Sequence, residues 1–259
     1  MDLFFLKLVA TPILILLASL AGRRWGEAIG GWFVGLPLTS GPVAFFLALE
    51  QGAGFAAATT RGSLAGVAAE AGFCVAYGTA ARFGPWPAAL AAGSIAFAFG
   101  AAALAAAALP SVPLIALIIS ALTLSLSLLP RFETGTAALP ASPRWDLPAR
   151  MAVATALVLG FTELAPYVGP EWSGLLATYP VFAAVLAAFA HSQSGPAAAM
   201  RVLRGLMIGL FSFTGFFIVL GMALERLGTA VGFIAASAVA LVIQGGSLWL
   251  MRRPRRLRQ

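Results

Sequence analysis

The sequence predicts an all-α membrane protein with about nine transmembrane helices, and three observations lead to this prediction. Of the 259 residues, 61% are hydrophobic and only 10% are charged, whereas a soluble domain is roughly 25% charged. The apolar residues fall in runs close to the ~20 residues that a helix needs to cross a bilayer. The second half of the sequence also matches the first half without a gap, in a register that lays Gly31 on Gly174.

This internal match predicts a gene duplication. The same register, which we call the repeat register, lays Pro37 on Pro180, Gly52 on Gly195 and Arg61 on Arg204. Alanine and glycine matches alone could arise by chance in so biased a composition, but the paired prolines and arginines are specific. Internal repeats of this kind are typical of transporters.

Nine apolar segments are predicted to span the membrane. The stretch between the fifth and sixth is rich in proline and charge and is predicted to be a linker. The first four spans return the chain to the face where it started, and the fifth span then crosses the membrane. The last four spans therefore start from the opposite face, which gives two inverted-topology repeats. The expected domains are a first repeat at 1–110, a linking helix and linker at 111–149, a second repeat at 150–251 and a basic tail at 252–259. The predicted spans are 3–22, 27–50, 54–82, 86–109, 112–129, 150–165, 170–192, 196–226 and 229–251.

Positive charge sets the expected orientation. With the C-terminus in the cytoplasm and the N-terminus outside, all but three of the 16 Lys and Arg residues lie on the cytoplasmic side. This bias is expected of inner-membrane proteins. It also explains the net charge of +7 without nucleic-acid binding. The three exceptions are Lys7, Arg61 and Arg226.

Catalytic and metal chemistry is not expected. Cys74 is the only cysteine and His191 the only histidine, so neither a disulfide nor a Cys/His metal cluster can form within the chain. The sequence has no P-loop for ATP-driven transport. We therefore expect no enzyme activity, no metal and no cofactor.

Two helix breaks are the first candidate site. Pro37 and Pro180 fall near the middle of the second and seventh spans, and a proline there removes a backbone donor and disrupts the preceding turn. Freed backbone groups at that depth must face protein or a cavity. A helix restarting after the first break could favour an anion. The alternative is a kink that only shapes packing. The remaining candidate substrate-binding residues beside the breaks are Thr39, Ser40, Gly41, Thr178 and Tyr179.

Arg61 and Arg204 are candidate entrances for an anionic substrate, since they are equivalent in the two repeats. Glu50 could pair with Arg61 and take part in coupling. The alternative interpretation is interfacial snorkelling of both arginines toward lipid headgroups.

Glu70 is the candidate coupling residue. It lies within an apolar span, where a carboxylate is costly and by default functional. Its repeat equivalent is Phe213, so a proton-binding or cation-binding role would be confined to one half. The alternative is a protonated glutamate hydrogen-bonded to a neighbouring helix.

One stretch in each half carries a resemblance to a known family. Residues 174–184 (GLLATYPVFAA), with His191 beyond them, and residues 35–42 (GLPLTSGP) resemble the small bacterial inner-membrane GlpM-like proteins. The resemblance implies a fused tandem duplicate in the bacterial inner membrane and supplies no catalytic residues. The inverted repeat is similar, by architecture alone, to that of drug/metabolite transporters.

These features together favour a secondary transporter. The expected substrate is a small anionic or amphipathic solute, moved by a carrier or flippase-like mechanism that Glu70 could couple to protons. The expected surroundings are the lipid bilayer. The sequence leaves open whether the chain forms a homodimer. The alternatives are a channel, or a non-catalytic accessory protein for envelope polymer export or assembly.

Overall fold

The protein is all-helical in the residues that the structure describes. The computed structural model describes residues 3–130, 143–168 and 179–252. These contain nine helices and no strand, which confirms the all-α part of the predicted fold class. The helices are α1 (Leu3–Trp25), α2 (Glu27–Val34), α3 (Ser40–Glu50), α4 (Ala53–Ala80), α5 (Trp86–Ala107), α6 (Ser111–Leu128), α7 (Asp146–Val168), α8 (Val181–Ser194) and α9 (Pro196–Arg252).

The helices are those of a membrane-embedded protein. Five described segments are long and apolar enough to cross a bilayer. The predicted eighth and ninth spans are joined in α9, which is interrupted only by the non-helical backbone of Gly228 (φ 78°, ψ 169°). Helix α4 has 28 residues, but Arg61 and Glu70 lower its hydropathy and it is not among the five. The five segments are Leu8–Trp25, Trp86–Ala107, Ser111–Leu128, Asp146–Leu164 and Pro196–Met251.

The predicted second span is broken where its proline lies. Helix α2 ends at Val34 and α3 begins at Ser40, so Pro37 stands in a short non-helical connection. Pro180 is the residue immediately before α8, with φ −77° and ψ 64°. Residues 169–178, which include the predicted site residue Thr178, lie outside the described part of the chain.

Helix bounds in the second half follow those in the first half in the repeat register. In that register the bounds of α1 fall on 146 and 168, which are the bounds of α7. The start of α4 falls on Pro196, where α9 begins. The residues that precede these two helices, Gly52 and Gly195, both adopt positive φ, at 90° and 78°. Only glycine takes that backbone conformation at little cost.

Equivalent helices pack against each other in opposite directions. Arg23, near the end of α1, contacts Asp146 at the start of α7. Helices α4 and α9 show the same arrangement, because Gly221 lies beside Thr60 whereas Gly78 lies beside Met200. Both pairs are therefore antiparallel.

Helices α2 and α9 approach so closely that their backbones touch. A Cβ at Gly31 would overlap the carbonyl oxygen of Val202, and a Cβ at Gly205 would overlap that of Ala28. One turn further on, a Cβ at Gly35 would lie 2.6 Å from Gly209 Cα. Small residues spaced four apart are the usual means of such contact between membrane helices.

The bundle has two chemically different ends. The arginine-rich end carries Arg23, Arg150 and Arg201, and the far end carries Glu50 and Arg61. Helix α7 begins at the arginine-rich end with Asp146, four residues before the predicted start at Arg150. The predicted boundary at 149/150 therefore cuts a helix. An acidic residue in the first turn favours this earlier start, because it complements the helix dipole.

Candidate functional site

A cavity of about 480 Å³ lies between the two helix breaks. This volume is within the ~300–1,000 Å³ of typical small-molecule sites. Six helices, α1, α3, α4, α7, α8 and α9, contribute lining residues, together with Val34 at the end of α2 and the connections on either side of the breaks. The lining comes from the middle of the bundle and from its far half, and it includes no described residue from the arginine-rich ends of these helices.

The structure brings five predicted site residues to this cavity: Thr39, Ser40, Glu70, Tyr179 and Pro180. Pro37 and Gly41 stand at the break but do not line the cavity. Their role there is structural, since the Gly41 N–H donates to the Pro37 carbonyl at 2.9 Å.

Glu70 is the acidic side chain of the described cavity lining. Among the described lining residues it is the only Asp, Glu, Lys, Arg or His. Within the described part of the chain its carboxyl group has no hydrogen-bond or ion-pair partner. Its repeat equivalent, Phe213, lines the same cavity. The carboxyl group is therefore available to a proton or to a solute.

Hydroxyl groups supply the remaining polarity. Thr59 donates to the Ala56 carbonyl at 2.8 Å, and Ser63 lies 3.5 Å from the Thr59 carbonyl. Since each hydroxyl donates to a carbonyl of its own helix, its donor is satisfied when no solute is bound. Its oxygen can still accept a hydrogen bond from a solute. The other hydroxyl-bearing side chains of the lining are Thr11, Thr39, Ser40, Thr162 and Tyr179.

Tyr179 is held rigidly at the cavity wall. Its hydroxyl is 2.7 Å from Ser94 Oγ. Its ring meets Phe97 and Phe161 edge-to-face, each with ring centroids 5.6 Å apart. Phe161 also lines the cavity, as do Phe182 and Phe213. We use the term aromatic wall for the four aromatic side chains of the described lining, Phe161, Tyr179, Phe182 and Phe213; of these, Phe161 and Tyr179 are in ring contact.

Three other predicted site residues lie away from the cavity. The Arg204 guanidinium donates to the carbonyls of Leu129 at 2.5 Å and Pro130 at 3.3 Å, and so binds the end of α6. Arg61 and Glu50 are exposed at the far end. No ion pair joins those two side chains in the described structure.

An ionic cluster closes the arginine-rich end. The Asp146 carboxylate is fully buried and accepts from Arg23 at 2.7 Å and from Arg150 at 2.8 Å. It also accepts from the Gln193 side-chain amide. The Arg150 guanidinium lies 5.3 Å from the centre of the Phe189 ring. This cluster, which we call the Asp146 cluster, ties α1, α7 and α8 together.

A second contact lies between the cavity and the Asp146 cluster. The Tyr77 hydroxyl is 3.2 Å from His191 Nδ1, and both side chains are buried. Sequence reasoning missed both features. The one available signal was the four-residue spacing of Asp146 and Arg150, which suits an ion pair on a helix but fell in a stretch predicted to be a linker.

The cavity, the Glu70 carboxyl group in its lining and the Asp146 cluster beyond it form the candidate site. No family model, curated protein or solved structure matches this chain, so its own residues carry the functional interpretation.

Proposed function

We propose that this chain is a secondary transporter, a carrier that moves a small amphipathic solute across the bacterial inner membrane. The observation that carries the proposal is the cavity between the two helix breaks, with Glu70 in its wall. Carriers place substrate and coupling sites near the bilayer midplane, where broken helices leave polar groups facing a cavity.

An inverted repeat supports the proposal. The helix bounds recur in the repeat register, and two equivalent pairs, α1 with α7 and α4 with α9, pack antiparallel. Such packing is what a pseudo-two-fold axis in the membrane plane produces. A fused duplicate of a GlpM-like unit would have this organisation, and we include that origin in the proposal.

The charge distribution supports an orientation. Placing the arginine-rich end in the cytoplasm satisfies the positive-inside rule. The cavity then lies in the outer half of the bundle, and the Asp146 cluster and the Tyr77–His191 contact close the cytoplasmic half. The structure would thus represent an outward-facing state, and α1, α7 and α8 would have to separate at Asp146 for the cavity to open inward.

The cavity lining bears on the substrate and on coupling. Of the two expected substrate classes, an anion is disfavoured because no Lys, Arg or His is among the described lining residues to pair with it. An amphipathic solute suits the mixture of hydroxyls and apolar side chains. Glu70 would exchange a proton with the cavity during the cycle, and Phe213 could not do so in the other half.

Accessibility of the cavity from each face tests the proposal. Cys74 is replaced by Ala to remove the native thiol, Ser63→Cys is added, and a membrane-impermeant maleimide is applied from either side. Gln51→Cys and Arg82→Cys, exposed at the far end and at the arginine-rich end, serve as controls that each label from one face only.

A carrier predicts rapid labelling at position 63 from outside and slower labelling from the cytoplasm. Equally rapid labelling from both faces would instead support the channel. If position 63 is labelled from neither face, the result would support an accessory protein with a solid core and would overturn the proposal.

A further inference from the structure

We propose that the central cavity binds an organic cation, an ammonium ion with an apolar body, whose charge pairs with Glu70 while its body contacts the aromatic wall. This inference rests on the proposed carrier function and names the substrate class of the same site.

The first support is an acidic side chain that has no basic partner in the described cavity lining. An ionised carboxylate away from bulk water is costly unless a positive group pairs with it. No Lys, Arg or His is among the described residues that line the cavity. A bound cation would supply the missing partner.

The helices packed around Glu70 supply no cation either. Helices α5 and α6 carry no Asp, Glu, His, Lys or Arg, and the one such residue of α3 is Glu50 at its exposed end. On α9 the nearest arginine in sequence to Phe213 is Arg204, nine residues away, and it is bound to the end of α6. Two other titratable groups face this region: the thiol of Cys74 lies one turn along α4 from Glu70, and the Tyr179 phenol lines the same cavity.

The second support is the aromatic wall. Aromatic ring faces attract ammonium ions, and several rings around one cavity are a recurrent way to bind alkylated ammonium groups. The Tyr179 ring is fixed in orientation by Ser94 and by its edge contacts. A wall that is already ordered binds with a smaller entropic cost.

The third support is the size and apolar character of the rest of the cavity. About 480 Å³ exceeds what a bare ion needs, and aliphatic side chains also line the cavity, among them Val34, Leu36, Leu38, Leu47 and Val158. A metal ion would require several anionic or neutral oxygen ligands. No group of three or more His, Cys, Asp or Glu that could hold a metal occurs in the described residues.

Because a proton and the organic cation compete for Glu70, their transport in opposite directions is coupled. Glu70 can hold either a proton or the organic cation, because protonation removes the charge that attracts the cation. Cation binding therefore releases a proton from Glu70, and proton binding releases the cation. No covalent bond changes other than the transfer of that proton to and from water.

Three probes of similar size and different charge test the inference on the purified full-length protein. They are benzyltrimethylammonium (+1), N-benzylacetamide (neutral) and benzylsulfonate (−1), with binding measured by isothermal titration calorimetry. We expect benzyltrimethylammonium to bind most tightly and to weaken as the pH is lowered, since protons compete for Glu70.

Glu70→Gln should remove both the preference for the cation and its dependence on pH, whereas Glu70→Asp should retain them with lower affinity. Glu225→Gln, an exposed residue outside the cavity, is the matched control. Phe161→Leu and Phe213→Leu keep an apolar wall but remove a ring. Each change should weaken binding of benzyltrimethylammonium by roughly two- to thirtyfold, the range that corresponds to cation–π energies of about 0.5–2 kcal/mol. The affinity for N-benzylacetamide should change by no more than about twofold.

Equal binding of the three probes, tighter binding of benzylsulfonate, or no binding of any would overturn the organic-cation inference. Maleimide labelling of Ser63→Cys distinguishes a wrong substrate class from a wrong carrier proposal. If it labels from both faces at unequal rates while the cation fails to bind, the carrier proposal stands and only the substrate class is wrong.

Discussion

Glu70 and Phe213 occupy equivalent positions in the two halves of the chain, and both line one cavity. One position carries a carboxyl group and the other a phenyl ring, so the two halves contribute different chemistry to a shared site. In the proposed carrier, this single acidic group would bind and release one proton in each transport cycle. This asymmetry leads to the first prediction.

Glu70→Gln should yield a folded protein that exchanges solute but cannot accumulate it. The amide keeps the size and hydrogen bonding of the protonated side chain, but it cannot release a proton. The measurement is uptake of radiolabelled benzyltrimethylammonium into proteoliposomes with and without an imposed pH difference. Glu225→Gln should accumulate the probe as the parent does. If Glu70→Gln responds to the pH difference like the parent, coupling lies elsewhere.

The termini should lie on opposite sides of the membrane, the N-terminus outside and the C-terminus in the cytoplasm. Two four-span repeats are inverted only if an odd number of spans joins them, so the predicted arrangement of four, one and four spans has an odd total, and the arginine distribution sets the direction. Fusions to alkaline phosphatase, active outside, and to green fluorescent protein, fluorescent inside, measure this at each end. Both ends reporting the same side would contradict the inverted repeat.

Gly205→Ala should destabilise the bundle. The added Cβ would overlap the Ala28 carbonyl oxygen, and overpacking of this kind costs roughly 1–3 kcal/mol or more. Thermal unfolding in detergent measures the effect as a lowered Tm. Gly245→Ala is the control, because no described atom lies within 4 Å of a Cβ there and alanine is the better helix former. An unchanged Tm for Gly205→Ala would mean that α2 and α9 are not in backbone contact.

Arg204→Ala should also lower stability, whereas Arg61→Ala should not. Arg204 donates to carbonyls at the end of α6, and hydrogen bonds from a charged group contribute about 1.5–3 kcal/mol each. Arg61 is exposed. If both arginines instead act as entrances for an anion, each change to Ala should weaken benzylsulfonate binding more than the change to Lys does, with equal Tm values.

Those features that depend on local sequence were predictable. The starts of α1 and α5 and the interruption around Pro37 follow from the length of apolar runs and from the backbone chemistry of proline. The mid-span position of Glu70 made it a candidate site residue, because a carboxyl group within an apolar run is costly, and the structure places it in the cavity lining.

Features that depend on distant partners were not predictable. Arg23 and Asp146 are 123 residues apart, and Tyr77 and His191 are 114 apart, so no spacing rule joins them. Asp146 was placed in a linker because prolines and charges surround it. Arg204 showed its repeat equivalence to Arg61 in the sequence, but its contact with the end of α6 required the packed structure.

The Asp146 cluster offers the most direct test of alternating access. Asp146→Asn removes the negative charge that binds Arg23 of α1 to the start of α7 and that pairs with Arg150 one turn along α7. It is combined with Cys74→Ala and Ser63→Cys, and maleimide labelling rates are measured from each face. Glu163→Gln, exposed on the same helix, is the matched control, and an unchanged elution profile in size-exclusion chromatography shows that the variant is folded. We predict that Asp146→Asn raises the cytoplasmic labelling rate and lowers the outer rate, because opening at one end closes the other. A folded variant whose two rates equal those of the control would contradict the alternating-access carrier.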